Sequence, residues 1–263
     1  MTTEPTGDSA PAARCWALVP CAGVGTRAGA AGPKQYVPLL GRPMLAWTLE
    51  ALARVPAIAC TLVCVSPGDE VAAAVVAGLR IGGADVAPCG GATRADTVAG
   101  GLAWLAAHGA RDGDWVLVHD AARCLVEPEA VQRLVDACRD DAVGGLLALP
   151  LADTLKHART DTGGERVDAT LDRTAKWAAQ TPQMFRLGAL RGALARAAAA
   201  GLAVTDESSA MEADGLAPRL VRGALDNLKV TWPEDFALAE RLLRGRDAAA
   251  CLPETTRLPR TPT

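Results

Sequence analysis

An α/β fold, with a Rossmann-like, mostly parallel sheet covered by helices, is predicted by three observations. Short apolar runs alternate with alanine-rich stretches of helical length along the 263 residues, the pattern of a sheet buried on both faces. The apolar share is 50%, which at this length can bury one full core. The conspicuous glycine-rich and charged segments come directly after apolar runs, at the edge where open α/β sheets bind ligands.

Taken in order, the runs predict strands near 16–21, 60–65, 84–88, 115–119 and 143–149, with helices near 43–54, 69–79, 94–107 and 128–138 between them. From Leu151 to Lys176 the rhythm breaks. Two strand-like segments there flank Asp161-Thr162-Gly163-Gly164, which predicts a protruding β-hairpin arm. An isolated hairpin is marginal in water, so the arm needs something to pack on, and a second copy of the chain is the economical partner. A helix near 187–200, a strand near 218–222 and a helix from Pro233 to about Arg244 close the domain. The expected organisation is a disordered tail over 1–14, one domain over 15–245 with its arm at about 151–176, and a second tail over 246–263, rich in Pro, Thr and Arg.

Composition narrows the function classes. A formal net charge of -3 provides no basic footprint for nucleic acid, so any nucleotide is expected to bind as a small molecule. The eight cysteines lie mostly inside apolar runs and form no Cys-x-x-Cys pair; they read as buried thiols of a reducing compartment. The first residues lack an apolar signal core, and no window has the unbroken apolar length of a membrane span. A cytoplasmic protein without membrane contact is expected.

The most informative stretch is Ala17-Leu18-Val19-Pro20-Cys21-Ala22-Gly23-Val24-Gly25-Thr26-Arg27, followed by Gly32-Pro33-Lys34-Gln35-Tyr36. A strand runs into a loop in which Gly23 and Gly25 permit a tight turn with backbone N–H groups against phosphate oxygens, while Arg27 and Lys34 supply cations. The segment is not a P-loop, because no Gly-Lys-Ser/Thr ends it. Nor does it continue as a dinucleotide-binding helix, since Gly29, Gly32 and Pro33 interrupt any helical run and leave a long loop returning Lys34 toward the phosphates.

Three further segments carry polar groups to the same edge. Val118-His119-Asp120-Ala121-Ala122-Arg123 sets a carboxylate at a strand end, where it suits a divalent ion or its waters, though a loop cap would look the same. Arg123 reads equally as an anion clamp or an ordinary loop cation, and His119 as a packed strand residue. In Gly90-Gly91-Ala92-Thr93-Arg94-Ala95-Asp96-Thr97, free N–H groups at a helix start can read a base edge, while Asp96 and Thr97 suit a first turn just as well. Thr205-Asp206-Glu207-Ser208 has the same two readings, since a Thr cap before an acidic first turn explains it without function, and Asp226-Asn227-Leu228-Lys229 offers a third phosphate cation in Lys229.

These segments, with Asp153-Thr154, Gln180-Thr181-Pro182-Gln183 and Asn227-Leu228-Lys229-Val230-Thr231, occur in an order that resembles the 2-C-methyl-D-erythritol 4-phosphate cytidylyltransferases from about residue 15 to 244. Pro33-Lys34-Gln35-Tyr36 separates that group from sugar nucleotidyltransferases at large. The resemblance implies a nucleotidyltransferase-type fold and transfer of CMP from CTP to methylerythritol phosphate, with release of pyrophosphate and help from Mg²⁺. It further implies Arg27, Lys34 and Lys229 as catalytic cations. Ala22, Gly23, Gly25, Gly91, Ala92, Thr97 and Asp120 would hold nucleotide, with Asp120 beside the metal directly or through water. Arg123, Thr154, Arg173, Thr205 and Asp226 would hold the acceptor, with Thr154 and Arg173 reaching the neighbour's site in a homodimer joined by the arm. Three positions depart from the family's habit: Cys124 where Pro is common, Ala92 for a polar residue and Trp232 for Arg. Two rivals share the nucleotide motifs, a ribitol 5-phosphate cytidylyltransferase and a nucleotide-binding protein without turnover.

Overall fold

The computed structural model describes residues 12–23, 25 and 32–250, with side chains up to 246. Seven strands form one sheet: β1 (Cys15–Pro20), β4 (Ile58–Cys64), β5 (Ala84–Ala87), β6 (Trp115–Val118), β7 (Gly144–Pro150), β10 (Trp177–Arg186) and β11 (Arg219–Arg222). Their spatial order is β11-β7-β10-β6-β1-β4-β5. The pairs of β1 with β4 and β6, of β4 with β5 and of β11 with β7 are parallel, and only β10 runs antiparallel to its neighbours β6 and β7. The mostly parallel sheet expected from the apolar runs is therefore present.

Strand β1 shows why its sequence is continuously apolar. Ala17 and Val19 face one core with Leu45, Leu49 and Leu52 of α1 (Met44–Ala53) and Val131, Leu134 and Val135 of α4 (Pro128–Cys138). Leu18, between them, faces the opposite core with Val98, Leu102 and Leu105 of α3 (Arg94–Ala107) and Leu187, Leu190 and Leu194 of α5 (Leu187–Ala199). Successive side chains of a strand point to opposite faces, so a strand with helices on both sides has no position for a polar residue. Short α2 (Val71–Gly78) covers the sheet near β5.

A third cluster joins Leu39 and Met44 to Ala122, Cys124, Leu125 and Val230, and to Ala239 and Leu243 of α7 (Pro233–Ala250). It fastens the C-terminal helix beneath the loops that follow β1 and β6. Helix α7 runs on to Ala250, beyond the predicted end near Arg244 and into the first residues assigned to a tail. Residues 1–11 and 251–263, which hold most of both expected tails and Cys251, lie outside the described residues. Of the other cysteines, Cys15, Cys21, Cys64, Cys124 and Cys138 are buried while Cys60 and Cys89 are partly exposed, and all are free thiols.

The arm is a two-stranded hairpin, β8 (Leu155–Asp161) with β9 (Gly164–Leu171). Its cross-strand contacts are polar, among them Lys156 to Thr170 and Thr160 to Glu165. The Asp161 carboxylate accepts the Gly163 N–H at 2.7 Å and so shapes the turn. Val167 is 61% and Leu171 43% exposed.

Three features were not read from sequence. Strands β2 (Pro38–Leu39) and β3 (Arg42–Pro43) form a small hairpin. Strand β10 contains Gln180-Thr181-Pro182-Gln183, and the β7 register breaks between Ala179 and Gln183, where a residue without an N–H is tolerated. Helix α6 (Glu207–Ala213) is capped by Asp206, not by Thr205 as the sequence reading held: the Asp206 carboxylate accepts the Ser209 N–H at 2.9 Å, and the Ser209 hydroxyl accepts the Asp206 N–H at 3.2 Å.

Candidate functional site

The ends of β1 and β6 and the loop after β5 open on a cleft of about 250 Å³. Its lining includes Ala22, Gly23, Gly25, Lys34, Gly91, Ala92, Thr97, Asp120 and Lys229, nine of the residues the sequence singles out. Arg94 also lines it, so the described walls carry three cations, Lys34, Arg94 and Lys229, against the single carboxylate of Asp120. A low-dielectric cleft with that balance favours a polyanion.

Each wall is held by identifiable contacts. Residues Lys34–Tyr36 form one 3-10 turn after Pro33. The Gln35 side chain, 5% exposed, donates to the Cys21 carbonyl at 2.7 Å and ties this turn to the end of β1. Lys34 Nζ donates to the Val230 carbonyl at 2.9 Å, which places the ammonium beside the segment carrying Lys229. Arg27, expected to work with Lys34, lies outside the described residues.

The base loop is tightly closed. A Cβ at Gly90 would stand 2.4 Å from Ala22 Cβ, and one at Gly91 2.4 Å from Asp96 Cβ, so neither position admits a side chain without movement. Thr93 and Asp96 form a reciprocal cap on α3, the structural role open to Asp96 from sequence. The Thr97 hydroxyl accepts the Gly91 N–H at 3.1 Å and donates to the Thr93 carbonyl at 3.0 Å. Thr97 therefore braces the loop from beneath and is 2% exposed, while Gly91, Ala92 and Thr93 are its exposed rim.

Asp120 is the electrostatic centre. Its Oδ1 accepts from Arg94 Nε at 2.9 Å and its Oδ2 from Lys229 Nζ at 2.7 Å. Burial alone would raise its carboxyl, but Arg94 and then Lys229 outweigh that and hold it well below the usual carboxylate range. Its backbone is fixed as well. The Thr181 hydroxyl accepts the Asp120 N–H at 3.0 Å and so directs its own proton to His119 Nδ1, also at 3.0 Å. That leaves His119 Nε2–H to donate to the Arg123 carbonyl at 3.2 Å. Burial lowers the His119 pKa from 6.5 to about 4, so the ring is neutral at physiological pH. His119 is a packed residue, as its sequence position suggests, and it spans both ends of the Asp120–Arg123 turn.

None of the five residues expected on the acceptor side, Arg123, Thr154, Arg173, Thr205 and Asp226, is in the cleft lining. Arg123 donates to the Asn227 carbonyl at 2.6 Å and the Ala179 carbonyl at 3.2 Å, which joins the loop after β6 to β10 and to the 227–230 segment. Asp226 pairs with Arg246 of α7 at 3.4 Å. The Thr205 N–H donates to the Ser209 hydroxyl, and Thr154 and Arg173 stand exposed at the base of the arm. Cys124 is buried in the third cluster, and the turn preceding it closes without a proline through Arg123 N–H to Asp120 C=O at 2.9 Å. Trp232 is 51% exposed, its N–H held by Asp235 at 2.8 Å.

The roles of Arg94 and Glu207 are not apparent from the sequence. Arg94 Nη1 and Nη2 donate to the two Glu207 oxygens at 2.6 and 3.1 Å. The available signal was a cation in the first turn of a helix, where the dipole favours acids.

Among the described residues no group of three or more His, Cys, Asp or Glu could enclose a metal ion. One lining carboxylate already shared by two cations does not make a protein-held metal site. Asp120 is the one lining carboxylate among the described residues that would stand beside a Mg²⁺ bound chiefly by phosphate.

Residues 15–245 match the family model described as 2-C-methyl-D-erythritol 4-phosphate cytidylyltransferase. The protein of that name from Bordetella petrii is 58% identical over 228 residues, covering 86% of this chain and 97% of its own length. A bifunctional enzyme IspD/IspF of Albidiferax ferrireducens is 56% identical over 250 residues, 95% of this chain but 57% of that protein. A crystal structure of 4-diphosphocytidyl-2C-methyl-D-erythritol synthase superimposes with a TM-score of 0.76 at 40% identity, covering 89% of this chain and 100% of the other. The chain belongs to the 2-C-methyl-D-erythritol 4-phosphate cytidylyltransferase family.

Proposed function

We propose that this protein transfers CMP from CTP to 2-C-methyl-D-erythritol 4-phosphate, giving 4-diphosphocytidyl-2-C-methyl-D-erythritol and pyrophosphate. The observation that carries the reading is the meeting of Lys34, Lys229 and Asp120 in one cleft beside a glycine-rich base loop, in a chain matching this family over 15–245. The acceptor's phosphate oxygen attacks the α-phosphorus of CTP, a new P–O bond forms, and the bond from the α-phosphorus to the bridging oxygen breaks with its electrons leaving on pyrophosphate. No covalent enzyme intermediate is required.

Phosphoryl-type transfer asks the protein mainly for positioning and charge stabilisation. Lys34 and Lys229 line the cleft in which charge develops on the α-phosphate oxygens, and Arg27 is the third cation of the proposal. Lys229 Nζ stands 2.7 Å from Asp120 Oδ2, which holds the ammonium at the cleft wall where phosphate would bind. Arg94 keeps the other Asp120 oxygen paired. A Mg²⁺ carried by the triphosphate would neutralise its charge and orient pyrophosphate as leaving group, with Asp120 beside it. Gly91 and Ala92 on the loop rim, with Thr97 behind them, form a short wall suited to a pyrimidine.

We further propose a cytoplasmic homodimer in which the arm brings Thr154 and Arg173 to the partner's acceptor site, with Arg123, Thr205 and Asp226 on the cleft's own side. Apolar Val167 and Leu171, exposed on the hairpin, support this reading. A pyrophosphate-release assay tests the function. Release is expected with CTP and methylerythritol phosphate, and much less with ATP or with ribitol 5-phosphate. Equal or faster turnover with ribitol phosphate would reassign the acceptor.

A further inference from the structure

Glu207 takes no part in the mechanism above, Arg94 enters it only as the second partner of Asp120, and each is costly where it stands. Arg94 opposes the dipole of α3, and Glu207, at the start of α6, is 1% exposed. Burying an ion pair is a poor route to stability, because desolvation consumes most of the Coulombic gain. Stability therefore does not account for them.

Their geometry does. Glu207 occupies both terminal nitrogens of the Arg94 guanidinium, at 2.6 and 3.1 Å, which leaves Nε to reach Asp120 Oδ1 at 2.9 Å. Asp120 can then offer only Oδ2 to Lys229, at 2.7 Å. The charges alternate along Glu207–Arg94–Asp120–Lys229, and the row joins α6, the start of the base-loop helix, the end of β6 and the Lys229 segment. A planar guanidinium held by a two-pronged partner has one orientation.

We propose that Arg94 and Glu207 are positioning residues for the transfer step, fixing the Asp120 carboxylate and through it the reach of Lys229 toward phosphate. The proposal rests on the reading of the cleft as the CMP-transfer site. Without the Glu207 charge, the guanidinium is free to turn and grip Asp120 with two nitrogens, drawing Oδ2 away from Lys229.

The test uses the full chain with Glu207→Gln, which keeps the shape and loses the charge, and Arg94→Lys, which keeps the charge but cannot span two carboxylates. Steady-state pyrophosphate release, CTP binding by calorimetry and thermal melting are measured on each. A misplacement of about 1 Å predicts a kcat loss on the order of 10²-fold for both variants, with cooperative melting and CTP affinity near the parent's. The absence of rescue by Arg94→Lys is the outcome that a charge-balancing role would not produce. Parental kcat in either variant, a loss confined to CTP affinity, or failure of both variants to fold overturns the proposal and makes the pair structural. If the parent itself releases no pyrophosphate from CTP and methylerythritol phosphate, the reading of the site fails instead, and the proposal with it.

Discussion

Gly25→Ala should impair catalysis through a residue nine positions away. Gly25 has φ of 66°, and an alanine there costs about 1 kcal/mol of backbone strain. A Cβ at this position would stand 2.6 Å from Lys34 Cγ and 2.9 Å from its Cβ and Cδ. Carbon atoms rest at about 3.5–4.0 Å, so the Lys34 stem must retreat by about 1 Å. The stem is flexible and the retreat is cheap in stability, but it pulls against the hydrogen bond of Nζ to the Val230 carbonyl. A displacement of that size at a proposed catalytic cation predicts a kcat loss on the order of 10²-fold. The strain alone lowers the melting temperature by about 2–4 °C. Steady-state kinetics, CTP calorimetry and melting on the single variants and the double variant separate these effects. Because Gly25→Ala acts through Lys34, it should reduce kcat little further once Lys34→Ala is present. A Gly25→Ala enzyme with parental kcat, or losses that multiply in full in the double variant, would refute the reasoning.

Lys34→Ala itself should lower kcat by about 10²-fold or more, a barrier increase of roughly 3 kcal/mol, and disturb CTP affinity far less; a calorimetric loss of CTP binding with near-normal kcat would mean that Lys34 only anchors substrate. His119 is held neutral, with its pKa lowered from 6.5 to about 4, so the unfolded chain binds the extra proton in that window and stability falls as pH drops through it. The change amounts to about 3 kcal/mol, and urea unfolding at the two ends of the window should show it in the parent and not in His119→Gln; equal slopes would refute the assignment. Mixing Arg27→Ala with Arg173→Ala chains should restore activity above either parent variant if the arm serves the partner's site. Absence of recovery, with subunit exchange verified by mass spectrometry, counts against a shared site.

Much of this architecture was legible because its physical causes are local. The unbroken apolar Ala17–Val19, bounded by the Gly23–Gly25 turn, suits a strand covered on both faces, and the Asp161-Thr162-Gly163-Gly164 turn suits a hairpin without reference to the rest of the chain. Strand β10 was hidden because Gln180, Thr181 and Gln183 are polar. They are buried through distant partners: Gln180 donates to the Ala224 carbonyl, and Thr181 bonds to His119 and Asp120. The same limit applies to the site. Glycines and cations next to one strand end could be grouped from sequence, whereas Arg94 and Glu207 are 113 residues apart and meet only in the folded chain. The Asp206 cap was misassigned to Thr205 because both types cap helices, and only backbone geometry decides between neighbours.

Direct attack of the acceptor phosphate on the α-phosphorus of CTP is the central claim. The measurement that tests it is phosphorus NMR on a turnover with methylerythritol phosphate carrying heavy oxygen in its phosphate group. All of the label should appear in the 4-diphosphocytidyl product, including the bridging position, and none in pyrophosphate. Label in pyrophosphate, or no labelled product from methylerythritol phosphate, would contradict the account.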